Sequence, residues 1–124
     1  MQNRILIIED DDDIRDTLTE VCASEGHEVF SARHGREALD RLRTELQGKF
    51  IVLLDLMMPV MDGRAFLEAL PLELPDRKDD LFIVVFSAGS FVSHPLIKGF
   101  LKKPVDIEEV LSLVNSTGFT RASA

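Results

Sequence analysis

The sequence predicts an α/β fold, a doubly wound, five-stranded parallel sheet with helices on both faces. Two observations carry this expectation. Short, wholly apolar runs rich in β-branched residues and leucine recur along the chain, as in strands buried on both faces. Segments with apolar residues at helical spacing alternate with them, and that alternation gives a parallel sheet joined by right-handed crossovers. A chain of 124 residues fits one domain. That domain is expected to span residues 1–124, with its core over about 3–117 and a small polar tail over 118–124.

Arg4–Ile8 reads as the first buried strand. Aspartates follow, and then Ile14, Leu18, Val21 and Cys22 recur at helical spacing. Acids in a first turn suit a helix N-terminus, and Gly26 ends this helix. Glu28–Ala32 is a more polar strand, placed nearer the sheet edge. Gly35 opens a second helix that buries Ala38, Leu39, Leu42 and Leu46. Residues 50–54 form a fully apolar strand that stops abruptly at Asp55. A loop with Pro59 and Gly63 leads to a third helix carrying Phe66, Leu67 and Leu70, after which Pro71 and Pro75 break the chain. Residues 81–86 make the fourth strand, ending at Ser87. A short segment bounded by Gly89 and Pro95 precedes a fifth strand around residues 99–101. Ile107, Val110, Leu111 and Val114 mark a final helix, with Gly118 as its cap.

Composition narrows the function classes. With 45% hydrophobic and 29% charged residues the chain reads as a soluble globular domain. A formal net charge of −8 repels a phosphate backbone, so no nucleic-acid partner is expected for this domain. The longest apolar runs are too short to cross a bilayer, and nothing near Met1 resembles a signal peptide, so no membrane association is expected. Cys22 stands alone, which points to a core thiol and a reducing, cytoplasmic location.

In open α/β sheets ligands bind beyond the carboxyl ends of the strands. Glu9 and Asp10 close the first strand, Asp55 the third and Ser87 the fourth, while Lys103 follows the fifth. With strands one, three and four as neighbours, three carboxylates and a hydroxyl converge. Carboxylates so close raise each other's pKa unless a cation sits among them, and a hard divalent ion, Mg²⁺ above all, suits oxygen ligands. Lys103 adds a second positive charge, and with Ser87 it completes a cradle for an anion such as a phosphoryl group.

Each of these residues also has a plainer reading. An acidic run over 9–13 is by itself a solvated helix start, and Asp12 and Asp13 keep that reading. The strand before Glu9 and Asp10, with Asp55 at another strand end, favours a site for those two. Ile14 and Arg15 stand where a calcium loop needs ligands and a glycine. Asp55 directly after an apolar run is costly without a partner. His27, His34 and His94 lack ligand spacing and receive no role. Asn115-Ser116-Thr117 matches a glycosylation acceptor that a cytosolic chain does not use.

Four stretches in order, Ile5-Leu6-Ile7-Ile8-Glu9-Asp10-Asp11, Leu53-Leu54-Asp55-Leu56-Met57-Met58-Pro59-Val60-Met61-Asp62-Gly63, Phe86-Ser87-Ala88 and Phe100-Leu101-Lys102-Lys103-Pro104, resemble the signatures of the response-regulator receiver domains of two-component systems. The resemblance implies a flavodoxin-like strand order 2-1-3-4-5. It implies that Asp55 is the phosphoacceptor, taking phosphoryl from a histidine kinase or phosphotransfer protein. Mg²⁺ would be held by Asp10, Asp55 and the backbone carbonyl of Met57, with Glu9 acting through a bound water. Ser87 and Lys103 would contact phosphoryl oxygens, Ser87 and Phe100 would form the switch, and the Lys103–Pro104 peptide would be cis. Lys102 competes with Lys103, but the family's lysine directly precedes the proline.

Two departures stand out. Glu9 replaces a commoner aspartate, and only residues 88–102 separate Ser87 from Lys103. With Gly89, Pro95 and Gly99 in that stretch, the family's fourth helix is expected to be missing or reduced to about one turn. The usual signalling face and dimerisation through it are therefore in question, and the downstream partner is unspecified. The alternative is a receiver-like binding module that works without phosphorylation. An aspartate-nucleophile phosphohydrolase is disfavoured because Met57 stands where its second aspartate belongs, and no glycine-rich loop supports a dinucleotide enzyme. The domain would catalyse only its own phosphorylation and dephosphorylation. It reads equally as a stand-alone regulator or as part of a larger protein such as a hybrid kinase.

Overall fold

Every strand that reads as a continuous apolar run lies inside the sheet. The computed structural model describes residues 2–89 and 93–117. In it β1 (Arg4–Ile8), β2 (Glu28–Ala32), β3 (Phe50–Asp55), β4 (Leu81–Ser87) and β5 (Ile97–Lys102) form one parallel sheet in the order β2-β1-β3-β4-β5. The more polar β2 is an edge strand, as its sequence predicts.

Because strand side chains alternate between faces, an all-apolar strand needs cover on both. Ile5, Ile7, Ile51, Leu53, Val84 and Phe86 pack under Leu18 and Cys22 of α1 (Asp12–Ser24) and Val110 and Val114 of α4 (Ile107–Ser116). Leu6, Ile8, Val52, Leu54, Ile83 and Val85 pack under α2 (Gly35–Thr44) and α3 (Gly63–Glu73), which contribute Leu39, Leu42, Phe66, Leu67 and Leu70. Each such side chain removed from water contributes about 1.5–3 kcal/mol before chain entropy is counted.

The structure corrects two expectations on helix boundaries. α2 ends at Thr44, so Leu46 packs into the core from beyond the helix and not on it. Pro71 does not break the third helix; it sits inside α3, which runs on to Glu73. Proline forfeits one hydrogen bond near the end of the helix, and the burial of Phe66, Leu67 and Leu70 outweighs that loss. Pro75 then opens a 3-10 turn over Pro75–Asp80 that leads into β4, an element the sequence did not announce.

Between β4 and β5, the described residues 93–96 form a turn and no helix, with the Ile97 N–H donating to the His94 carbonyl at 3.1 Å. Residues 90–92, on which the rest of the expected shortened helix falls, lie outside the described residues, as does Gly118.

Candidate functional site

Parallel pairing brings the carboxyl ends of the strands to one level. Ile8 stands opposite Leu54, Asp55 opposite Phe86 and Ser87 opposite Lys102. Glu9 continues the ladder by donating its N–H to the Ala32 carbonyl at 3.0 Å. The α3 N-terminus is drawn tightly against β3, with the Gly63 N–H donating to the Leu56 carbonyl at 3.1 Å. A Cβ at Gly63 would stand 2.4 Å from the Asp55 carbonyl oxygen, so only glycine permits this approach.

The side chains that result are close and mostly buried. Glu9, Asp55 and Ser87 are buried, while Asp10 is exposed at the rim. One carboxylate oxygen from each of Glu9, Asp10 and Asp55 lies within 4.8 Å of the others. Lys103 donates to Oδ2 of Asp55 at 3.2 Å, and its Nζ lies 3.0 Å from Oε1 of Glu9. Oδ1 of Asp55 accepts the Met57 N–H at 3.2 Å, and Oε2 of Glu9 accepts the Asp11 N–H at 3.0 Å. Oε1 of Glu9 is fully buried; although it is within ion-pair range of Lys103, the approach lacks hydrogen-bond direction and this oxygen accepts no hydrogen bond. The Lys103–Pro104 peptide is cis.

A profile of the response regulator receiver domain matches residues 5–115, which contain this whole cluster. The chain belongs to the response regulator receiver domain family.

The response regulator MprA of Mycolicibacterium vanbaalenii is 36% identical over 118 residues, covering 90% of this chain and 48% of that protein. The chain thus spans about half the length of the curated relatives it matches. The CheY-like receiver domain protein of Methanospirillum hungatei superposes with a TM-score of 0.80 at 26% identity, covering 95% of this chain and 96% of its own. The response regulator TrrA of Thermotoga maritima, in complex with Mg²⁺-BeF, gives a TM-score of 0.75 at 26% identity over 91% of this chain and 96% of its own.

Electrostatics in this receiver domain follow from burial and crowding. Burial pushes the Glu9 carboxyl above its ordinary value; the Asp11 N–H opposes the rise, Asp55 adds to it and Lys103 opposes it. Asp10 is exposed as a residue, yet partial desolvation of its carboxyl and the neighbouring Glu9 raise it too. Burial disfavours the Lys103 ammonium, but Glu9 and Asp55 outweigh this and hold Lys103 above its ordinary value. Three hard oxygen donors, one of them buried without a hydrogen bond, fit a hard divalent cation. A cavity of about 310 Å³ lined by Asp10, Met57, Met58, Pro59 and Asp62 opens beside them.

Not every candidate sits in the cluster. Phe100 lies on β5 opposite Val85 and is 47% exposed. Lys102 is exposed, while Lys103 carries the ion pairs. The three histidines do structural work, each accepting a backbone N–H at Nδ1: His27 from Asn3 at 2.9 Å, His34 from Glu37 at 3.2 Å and His94 from Leu96 at 3.2 Å.

Sequence reasoning missed Arg15, whose Nη1 donates to the Glu9 carbonyl at 3.0 Å and braces the acidic turn. An arginine one helical turn beyond an acidic N-terminus was the available signal. No helix among the described residues is long and apolar enough to cross a membrane.

Proposed function

We propose that Asp55 accepts a phosphoryl group from the phosphohistidine of a sensor kinase or phosphotransfer protein, with Mg²⁺ bound by Asp10, Asp55 and the Met57 carbonyl. Glu9 would take part through a bound water. The observation that carries this reading is the Asp55 carboxylate itself. It is buried at a strand end, held by Lys103 and the Met57 N–H, and grouped with two further carboxylates. The bound cation supplies charge neutralisation for the carboxylates and the incoming phosphoryl oxygens.

A carboxylate oxygen of Asp55 attacks phosphorus, the P–N bond to the donor imidazole breaks, and the bonding pair leaves with the imidazole, which is then protonated. Lys103, already at the Asp55 oxygen, is placed to follow the charge onto the phosphoryl group. Ser87 Oγ accepts the Gly89 N–H at 3.2 Å, which leaves its own O–H to donate to a phosphoryl oxygen. Phosphorylation adds about −1.5 to −2 charge, and Ser87 and Phe100 are the pair that responds. The domain promotes its own phosphorylation and hydrolysis and turns over no separate metabolite.

Incubation with acetyl phosphate and Mg²⁺, read by intact mass, tests this. One phosphoryl group is expected on the wild type and none on Asp55→Asn or after chelation. Absence of labelling from acetyl phosphate and from a phosphorylated kinase alike would make the domain a phosphorylation-independent binding module.

A further inference from the structure

We propose that Phe86 is a positioning residue for Lys103, its ring forming the seat on which the lysine ammonium stands during phosphoryl transfer. This rests on the reading of Asp55 as phosphoacceptor. Nζ of Lys103 lies over the Phe86 ring, 5.2 Å from its centroid, inside the range at which a ring face attracts a cation. The ammonium is thereby bounded on three sides, by Glu9 at 3.0 Å, Asp55 at 3.2 Å and the aromatic face. In the sheet Phe86 pairs with Asp55 on one side and Leu101 on the other, between the acceptor strand and the strand that leads to Lys103.

The three contacts differ in what the reaction does to them. Asp55 becomes an acyl phosphate, so its oxygen ceases to be a carboxylate partner. Glu9 is shared with the cation. The ring face is unchanged throughout. Lysine has a long, flexible stem, and an ammonium left with shifting partners loses its fixed position.

Phe86 also fills the core on its face of the sheet, at 1% exposure. Its volume could be met by a large aliphatic residue; the negative ring face toward the ammonium could not.

The test is a double-mutant cycle on the initial rate of labelling by acetyl phosphate with Mg²⁺. It combines Phe86→Leu and Lys103→Met, with Phe86→Tyr as the ring-retaining control and Phe86→Met where the leucine variant does not fold. Proton NMR of the Lys103 ε-methylene runs beside it. Phe86→Leu is expected to slow labelling about tenfold, the scale of a partly desolvated cation–π contact. Phe86→Tyr restores the rate, and Phe86→Leu adds no loss when Lys103 is already Met. The ε-methylene lies upfield in the wild type and Phe86→Tyr and moves to its random-coil position without the ring. Equal losses in both lysine backgrounds, or a wild-type methylene at its random-coil position, overturn the proposal. If the wild type labels neither from acetyl phosphate nor from a phosphorylated kinase, the phosphoacceptor reading fails; the methylene shift then decides the seat by itself.

Discussion

Oε1 of Glu9 lies 3.0 Å from the ammonium of Lys103 and accepts no hydrogen bond. The pair therefore rests on charge at short range in a place where Glu9 has no exposed surface. Removing the ammonium with Lys103→Met leaves buried carboxylates facing one another, a change worth about 3 kcal/mol of stability. The loss should depend on pH. The raised Glu9 carboxyl binds its proton more tightly folded than unfolded, so protonation stabilises the fold below the ordinary value near 4.5, and that stabilisation is lost as pH rises through the folded value. Urea unfolding of Lys103→Met in chelator should show a larger deficit at pH 7 than at pH 5; equal deficits would mean Glu9 does not depend on Lys103.

Asp10 shifts in the same direction as Glu9 but stands at the exposed rim. Desolvation and the adjacent Glu9 hold its carboxyl above the ordinary range, so its negative charge strains the folded state when no cation neutralises it. Asp10→Asn should raise stability in chelator, though only slightly, because Asp10 is exposed at the rim and solvent screens its charge. Mg²⁺ is expected to raise the melting temperature of the wild type, and the same variant should lose that rise. Thermal scans with and without Mg²⁺ check both halves, and a variant that still gains stability from Mg²⁺ would exclude Asp10 as a ligand.

Gly63 is held by backbone on two sides. An added Cβ would meet the Asp55 carbonyl oxygen at 2.4 Å and Leu56 Cα at 2.8 Å, and neither belongs to a side chain that can rotate away. Gly63→Ala should cost about 3 kcal/mol through displacement of α3 from β3. It should also slow labelling of Asp55, because the displaced backbone carries the acceptor. A stability change without a labelling change would separate the helix packing from the site.

How much of this was legible in the sequence follows from which forces act locally. β1 and β2 coincide with their expected bounds, because apolar runs and turn residues mark them directly. Glu9, Asp10, Asp55, Ser87 and Lys103 could be collected as strand-end residues, since the fold rule needs only the strand ends. Pro71 misled because its cost is local while the compensation, burial of Phe66, Leu67 and Leu70, is tertiary. The Phe86 ring was not legible for the same reason, since its partner ammonium comes from another strand end. Arg15 had a local signal, but a backbone carbonyl as partner leaves no mark in the sequence. Asn3 is a further example: its side chain donates to the carbonyls of Val114 at 2.6 Å and Thr117 at 2.8 Å, fastening the end of α4 to β1 from the far end of the sequence.

Val60 carries a positive φ of 65° in the loop that joins Asp55 to α3. Its neighbours close a tight three-residue turn around it, the Met61 N–H donating to the Pro59 carbonyl at 2.7 Å. A β-branched residue is poorly suited to that region, and such placements cost about 1–3 kcal/mol. The side chain gives little back, being 79% exposed. Val60→Gly should therefore stabilise the domain by about 1 kcal/mol, the relieved strain less the entropy glycine adds to the unfolded chain. Val60→Ala keeps the Cβ and should gain much less. Urea unfolding of the two variants distinguishes backbone strain from side-chain contact: a loss of stability in Val60→Gly would mean that contacts of Val60 offset its backbone cost. The same loop carries Met57, whose carbonyl is proposed above as a ligand of Mg²⁺. If the strain also helps to aim that carbonyl, Val60→Gly will be more stable yet require more Mg²⁺ for half-maximal labelling of Asp55.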